Sequence, residues 1–148
     1  MKATLQEWID KAEGDFCTAS REARARKAPN YDAACFHCQQ CIEKYLKGYL
    51  LAQGQQFRPV HDLIELLELC LLCDGTFELQ RDLLKDLTRY AVQFRYPGEM
   101  ATKEDARAAI KAMRTVRAFV RPYLGLGDEG NMNKQTKPRK GSSPRLGN

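Results

Sequence analysis

The chain has 148 residues, 43% of them apolar and 29% charged, and a formal net charge of +5. A chain of this length and composition can bury one core, so we expect one folded domain. It contains neither an apolar run of about 18 residues nor a signal-peptide pattern, which predicts a cytoplasmic protein without a membrane segment.

The positive charge is concentrated near the end of the chain. Five basic residues follow Leu124 against two acidic ones, which leaves an excess of only two positive charges in the rest. A body with so small a net charge does not require a nucleic-acid partner. Residues 126–148 are rich in Gly, Asn, Lys, Ser and Pro. We therefore expect a helical domain over residues 1–125 and a disordered basic tail over residues 126–148.

The first two predicted helices are separated by a proline. Residues 4–7 form a capping-box pattern, and an apolar stripe of helical spacing continues from there to about Lys27. Pro29 ends this first helix, and Asn30 is suited to cap a second helix over residues 31–51.

The second helix has two different faces. Apolar residues recur on one face at alternating spacings of four and three, which is the pattern of a buried bundle seam: Tyr31, Cys35, Cys38, Ile42, Tyr45 and Tyr49. Polar side chains fall on the opposite side: Gln40, Glu43, Lys44 and Lys47. We interpret this polar side as the place where function lies.

Three more helices follow, and nothing in the sequence alternates like a strand. The third is predicted from about residue 61 to residue 73, and the fourth starts at a Thr76 cap and stops near residues 95–96 because of Pro97. The fifth runs from Thr102 to Gly125. The fourth and fifth helices each have an apolar seam that is typical of a bundle helix. In the fourth helix the expected seam is Leu83, Leu87, Tyr90 and Phe94. The fold class is therefore all-α, an up-and-down bundle of four main helices plus one short helix.

Five cysteines stand at spacings that suggest metal ligands. Three belong to the second helix at intervals of three residues, and two more, Cys70 and Cys73, repeat that interval later. On a helix, however, Cys35, Cys38 and Cys41 fan out around the apolar seam, where a small apolar side chain is wanted. We interpret the cysteines as reduced core residues rather than zinc or iron–sulfur ligands, and we expect no metal or other cofactor.

Three signatures, in this order, resemble the HEPN domain family over roughly residues 5–124. The first is the segment 34–47, with its aromatic residue, Gln-Gln, Glu-Lys and final Lys. The second is His-Asp-Leu at residues 61–63, and the third is Phe-Arg-Tyr-Pro-Gly at residues 94–98. The resemblance implies a helical bundle that is commonly a homodimer.

The resemblance also implies one of two activities. Some HEPN proteins are RNA-cleaving toxins that carry Arg, four to six residues, then His. Here the histidines are His37 and His61, and Arg26 stands too far before the first and Arg58 too near the second. The chain is closer to small non-nuclease HEPN proteins, which are encoded beside a minimal nucleotidyltransferase and are thought to bind its nucleotide or the transferase itself.

Candidate binding residues follow from the polar side of the second helix. Lys44 and Lys47 are three residues apart and can reach one phosphate, with Gln40 as a neutral donor. The alternative is a solvated face on which Glu43 pairs with Lys47. A homodimer contact would also use Gln40, together with apolar residues of the same helix: Phe36 and Leu51.

The other two signatures supply three further candidates. His61 near a helix start can bind a phosphate, or it can instead bond to a neighbouring helix in a positional role. Arg95 and Tyr96 place a forked donor and a ring at a bend, suited to a phosphate and a stacked base. The alternative for Arg95 is a salt bridge to Glu43.

Three functional hypotheses remain open at this point. The first is a non-catalytic homodimer that binds nucleotide or a nucleotidyltransferase, as in a toxin–antitoxin-like pair or an accessory subunit. The second is a divergent ribonuclease that acts on RNA through His61 with Arg95 or Arg58. The third, less favoured, is a cysteine-ligated metal protein.

Overall fold

The computed structural model describes residues 2–127. In that part of the chain it has five α-helices and no strand: α1 (Leu5–Arg24), α2 (Tyr31–Ala52), α3 (Leu63–Leu71), α4 (Arg81–Gln93) and α5 (Lys103–Val120). Two 3₁₀ turns complete it, Gly75–Gln80 before α4 and Arg121–Leu124 after α5. Of the predicted basic tail, residues 128–148 lie outside the described residues.

Helix α2 is the centre of the bundle. It packs against α1, α3, α4 and α5, and the most extensive packing is with α1. The prediction of an all-α bundle of four main helices plus a short one is confirmed, with α3 as the short helix. Because α2 is surrounded, even its predicted polar side is largely buried, and Glu43 and Lys47 are 3% and 5% exposed.

The starts of α1 and α5 follow the predicted caps. Thr4 forms the expected capping box with Glu7, and Thr102 forms another with Asp105. The end of α1 differs from the prediction, because the helix stops at Arg24 and not near Lys27. The backbone already turns extended at residue 25 (ψ 132°) and enters the left-handed region at residue 28 (φ 48°). The chain therefore leaves the helix before Pro29 can end it.

Helices α3 and α4 are shorter than the sequence predicted. Asp62 caps α3 by accepting a hydrogen bond from the Ile64 N–H at 2.9 Å, so His61 lies outside the helix. Asp74, and not Thr76, caps the segment before α4, and this segment winds first as a 3₁₀ turn. Leu84 and Leu87 are the fully buried leucines of α4, whereas Leu83, predicted in the seam, is only partly buried.

The bundle core contains four of the six cysteines. Cys35, Cys38, Cys41 and Cys70 are fully buried as free thiols among aliphatic and aromatic side chains. Burial raises the pKa of the Cys35 thiol to about 12. Among residues 2–127, no three His, Cys, Asp or Glu side chains come together as a metal site. The packing interpretation accounts for all four buried positions.

A buried ionic network ties α1, α2 and α5 together. Arg117 holds the Glu13 carboxylate with two hydrogen bonds, of 2.8 Å and 2.6 Å, and the Tyr45 hydroxyl donates to the same carboxylate. Arg121 is fully buried and donates to the Tyr45 hydroxyl at 2.8 Å. Burial raises the pKa of Glu13, but the bonds from Arg117 and Tyr45 lower it by more, so the carboxyl is ionised at neutral pH. The network therefore links three helices of the bundle through one carboxylate.

No helix within residues 2–127 combines the length and the apolar character that a membrane crossing requires.

Candidate functional site

A surface groove of about 580 Å³ lies where α2, the start of α3 and the end of α4 meet. We call it the α2–α4 groove. Its walls are Phe36, Gln39, Gln40, His61, Asp62, Thr88, Ala91, Val92 and Arg95. Three of the six candidate residues from the sequence, Gln40, His61 and Arg95, therefore meet in one place although they are far apart in the chain.

The side chain of Glu43 organises the floor of this region. Its carboxylate accepts hydrogen bonds from Lys47 at 3.0 Å and from His61 at 2.9 Å, and both amides of the Gln-Gln pair donate to it at longer distance. All four donors belong to the signatures that identified the family. The predicted pairing of Glu43 with Lys47 is thus present, but as a buried pair and not on a solvated face.

The two glutamines connect the first and second signatures. Gln39 donates from Nε2 to the backbone oxygen of His61 at 2.9 Å, and Gln40 donates from Nε2 to Oε1 of Gln39 at 2.8 Å. Gln40 in turn accepts a hydrogen bond from Lys44 at 3.2 Å. These bonds hold the loop before α3 against the middle of α2, so the groove is preorganised.

His61 has the positional role that was one of the two alternatives predicted for it, because its ring bonds to α2. Nδ1 bonds to Glu43, whose carboxylate is ionised because hydrogen bonds from His61 and Lys47 lower its pKa by more than burial raises it. Nδ1 is therefore the protonated nitrogen. Nε2 has no partner within residues 2–127, and the side chain is 78% exposed. The ring is fixed on one side and free to meet a ligand on the other.

The two lysines of α2 do not converge. Lys44 donates to Asp15 of α1 at 2.6 Å, and the ring of His37 bonds to the other oxygen of the same carboxylate at 2.7 Å. Lys47 is held by Glu43, with its ammonium 5.7 Å from the centre of the Trp8 ring. Neither lines the groove, so the expectation that both reach one phosphate does not match their positions. The two lysines do lie on the same side of α2, as predicted, but α1 packs against that side.

Arg95 and Tyr96 follow the end of α4. Arg95 lines the groove, and it has no hydrogen-bond or ion-pair partner within residues 2–127. The alternative ion pair between Arg95 and Glu43 is not formed, because Lys47 and His61 occupy that carboxylate. Tyr96 is 63% exposed and stands beside the groove rather than in it. The guanidinium is thus available to an anion.

Two groove residues, Thr88 and Val92, were not among the residues predicted for the site. The Thr88 hydroxyl is buried and has no hydrogen-bond partner among the described residues, although it lines the groove. Val92 exposes apolar surface on α4, as Phe36 does on α2. Threonine and valine within an amphipathic helix carry no functional signal, so only the packing of α4 against α2 reveals them. Such an unpaired buried hydroxyl is costly unless a ligand or water satisfies it.

The side chains of the groove can bind an anion and form hydrogen bonds with a ligand. A free guanidinium and an imidazole can bind phosphate oxygens, and the Gln40 amide can bond to a base or a sugar. The nearby Arg58 does not contribute, because it pairs with Glu65 at 2.6 Å on the exposed surface. The groove offers binding groups of the kinds that a nucleotide needs.

Comparisons with known proteins identify the family and support the helical fold. A family model described as the HEPN domain matches residues 5–123. Among solved structures, the archaeal HEPN homologue ST0689 is similar, with a TM-score of 0.62 and 25% identity over 83% of this chain and 99% of that one. TT1696 from Thermus thermophilus is also similar, with a TM-score of 0.64 and 26% identity over 81% of this chain and 98% of that one. No curated protein sequence gives a significant match.

Proposed function

Since the chain belongs to the HEPN domain family, we propose that it is a non-catalytic binding protein whose α2–α4 groove receives a nucleotide. In this proposal it acts beside a minimal nucleotidyltransferase, as one half of a toxin–antitoxin-like pair or as an accessory subunit. The observation that carries the proposal is the convergence of Gln40, His61 and Arg95 on one groove.

The phosphate end of the ligand is assigned to Arg95 and His61. Arg95 presents a guanidinium without a partner in the described chain, and such a group binds phosphate through two parallel hydrogen bonds. His61 is held by Glu43 so that its other nitrogen remains available. Together they supply charge and direction for an anionic group.

The base or sugar end is assigned to the remaining part of the groove. The Phe36 side chain is 39% exposed and gives a face on which a base can stack. The Gln40 amide lines the same groove and offers a hydrogen bond.

A protein partner is proposed for the exposed apolar rim. Phe36, Val92 and Tyr96 stand at or beside the groove with 39%, 52% and 63% of their surface exposed. Aromatic residues and arginine are enriched at protein interfaces. We assign this rim to a second copy of the chain or to the transferase, so that the ligand would lie between the two proteins.

The absence of the nuclease spacing supports a binding role. RNA cleavage without metal needs a group that moves a proton and a cation that stabilises the phosphorane. The Nδ1 side of His61 is committed to Glu43, and Arg58 is committed to Glu65. The protein should therefore leave cellular RNA intact, and cleavage by wild type that is lost in His61→Ala would contradict the non-catalytic proposal.

Calorimetric titration with each of the ribonucleoside triphosphates tests the binding directly. Loss of one charge-assisted contact in Arg95→Ala should weaken binding roughly tenfold to a hundredfold. Arg58→Ala is the matched control, since it removes an exposed arginine of the same charge outside the groove. Equal affinities for the two variants, or no binding by wild type, would contradict the proposal.

The partner is tested separately. The neighbouring gene, if it encodes a small nucleotidyltransferase, should give a product that copurifies with wild type and is lost with Val92→Asp. Leu79→Asp serves as the control, because Leu79 is an exposed apolar residue that is not part of the groove. Equal copurification with both variants would contradict the assignment of the rim.

A further inference from the structure

A second surface depression is larger than the α2–α4 groove. It is a cleft of about 920 Å³ between the end of α1 and the outer side of α5. Six of the residues that line it are cations, and none is acidic: Arg24, Arg26, Lys103, Arg107, Lys111 and Arg114. This basic cleft shares no residue with the α2–α4 groove.

No carboxylate within residues 2–127 forms an ion pair with these six cations. Three arginines elsewhere, Arg58, Arg81 and Arg89, each pair with a Glu or Asp. Glu104, which follows Lys103 directly, forms no ion pair within residues 2–127, and two other nearby acidic residues bond to backbone N–H groups. Asp105 accepts from residue 102, and Asp32 accepts from residue 101. The positive charge of the cleft is therefore not neutralised locally by ion pairs.

The positions of the cations on α5 are not those that stabilise a solvent-exposed helix. Lys103 is the first residue of α5, where the helix dipole disfavours a positive charge. Lys103, Arg107 and Lys111 follow one another at spacings of four, which places like charges next to each other on one face. Of the six, only Arg24, in the last turn of α1, has a dipole explanation. A bound polyanion would relieve this repulsion.

The shape of the charged row indicates an extended ligand. From Lys103 to Arg114 the helix rises about 16 Å, which matches about five backbone charges at the spacing of one nucleic-acid strand. Apolar and aromatic surface accompanies the row, since Tyr31, Pro29 and Ile110 also line the cleft. Proteins bind unpaired bases and their phosphates with an aromatic ring beside a row of basic side chains.

We propose that the basic cleft between α1 and α5 binds single-stranded nucleic acid, with the α5 cations on the phosphates and the Tyr31 ring against a base. This goes beyond the proposed nucleotide site, because it assigns a second ligand to a different face of the bundle. A protein could then hold a strand at one face and a nucleotide at the other.

Fluorescence anisotropy with the full chain tests the assignment. The probes are labelled RNA and DNA single strands of about 12 nucleotides, a length within the range that one module occupies, and a duplex of equal length. Wild type should bind both single strands, and more tightly than the duplex. Absence of binding at low salt, or tighter binding to the duplex, would overturn the proposal.

A matched pair of double variants distinguishes the contribution of the cleft to binding from that of the overall positive charge. Arg107→Gln with Lys111→Gln should weaken binding at least about tenfold, and should lower the salt slope by about 1.4, which corresponds to two phosphate contacts. Arg58→Gln with Arg89→Gln removes the same charge from another surface and should change affinity less than about twofold. Both carry the basic tail unchanged. Equal weakening of the two would overturn the proposal.

Two further measurements keep the test decisive. If the cleft double variant fails to fold by circular dichroism, Lys103→Gln replaces it, because this exposed residue stands at the helix start, where losing a positive charge does not weaken the helix. Tyr31→Leu should weaken single-strand binding while leaving the salt slope unchanged, because stacking carries no counterion release. A changed slope with unchanged affinity would contradict the role of the ring.

Discussion

Oε2 of Glu43, whose side chain is 4% exposed, lies 2.9 Å from Nδ1 of His61, whose side chain is 78% exposed. One buried carboxylate thus fixes one surface imidazole. The same carboxylate holds Lys47 at 3.0 Å. Glu43 makes no contact with solvent that a ligand could use, so we assign it to positioning the groove and not to binding.

Glu43→Gln should destabilise the fold strongly. The substitution leaves the Lys47 ammonium buried without a counter-charge, and breaking a buried pair in this way costs about 3–5 kcal/mol. Glu65→Gln is the control, because it breaks the exposed pair with Arg58 and should cost less than about 1 kcal/mol. Urea unfolding measures both. Similar losses for the two variants would show that the Glu43 pair is not desolvated.

The stability that Glu43 confers should depend on pH. Burial raises the pKa of its carboxyl, but hydrogen bonds from His61 and Lys47 lower it by more, so the folded value lies below the ordinary 4.5. A lowered folded pKa adds stability that is complete above the unfolded pKa and is lost as the pH falls through the folded pKa. The difference in free energy of unfolding between wild type and Glu43→Gln should therefore be constant above about pH 6 and shrink below about pH 4.5. A difference that grows on acidification would reverse the assigned direction.

The cysteines should react in two classes. Cys17 is exposed and Cys73 half-buried, whereas Cys35, Cys38, Cys41 and Cys70 are fully buried. Burial raises the pKa of the Cys70 thiol to about 12, and the thiolate is the reactive form. A thiol reagent should therefore modify at most two groups before unfolding, and Cys17→Ser should remove the fast one. Stoichiometric zinc or iron in reduced protein would overturn the packing interpretation.

Two glycines should respond oppositely to alanine. Gly14 lies in the interior of α1, and an added Cβ would meet nothing within 4 Å, so Gly14→Ala should stabilise by about 0.5–1 kcal/mol through helix propensity. Gly125 has φ +77°, where a side chain is strained, so Gly125→Ala should destabilise by about 1 kcal/mol. Thermal unfolding distinguishes the two. Stabilisation by both would contradict the left-handed cap after α5.

The helices could be predicted from sequence because their signals are local. Capping boxes at Thr4 and Thr102 mark the starts of α1 and α5 through bonds between neighbouring residues. The start of α4 was wrong because Asp74, two residues before Thr76, offers an equally good cap and begins a 3₁₀ turn. Short-range patterns do not decide between two adjacent caps.

The candidate site could be predicted only in part. The signatures selected Gln40, His61 and Arg95, which do meet, but Lys44 and Lys47 are drawn to Asp15 and Glu43. An amphipathic pattern shows which face of a helix is apolar, and it does not show that another helix will cover the polar face as well. Burial of Glu43 and Lys47 depends on the packing of the whole bundle.

The basic cleft could not be predicted from the net charge of the sequence. The net charge of the body of the chain is small, because its acidic residues nearly balance its basic ones. The fold sorts these charges by surface, and brings Arg24 and Arg26 beside a row on α5 that is distant in sequence. Net charge cannot report such an arrangement, whereas the spacing of four between Lys103, Arg107 and Lys111 was a visible signal.

Nuclear magnetic resonance of the isotope-labelled full chain, titrated with a nucleoside triphosphate, tests the central claim most directly. We predict that amide shifts concentrate on the walls of the α2–α4 groove, around Gln40, His61 and Arg95, with little change around Arg107 in the basic cleft. Shifts confined to the basic cleft, or absent at saturating nucleotide, would contradict the assignment of the groove as the nucleotide site.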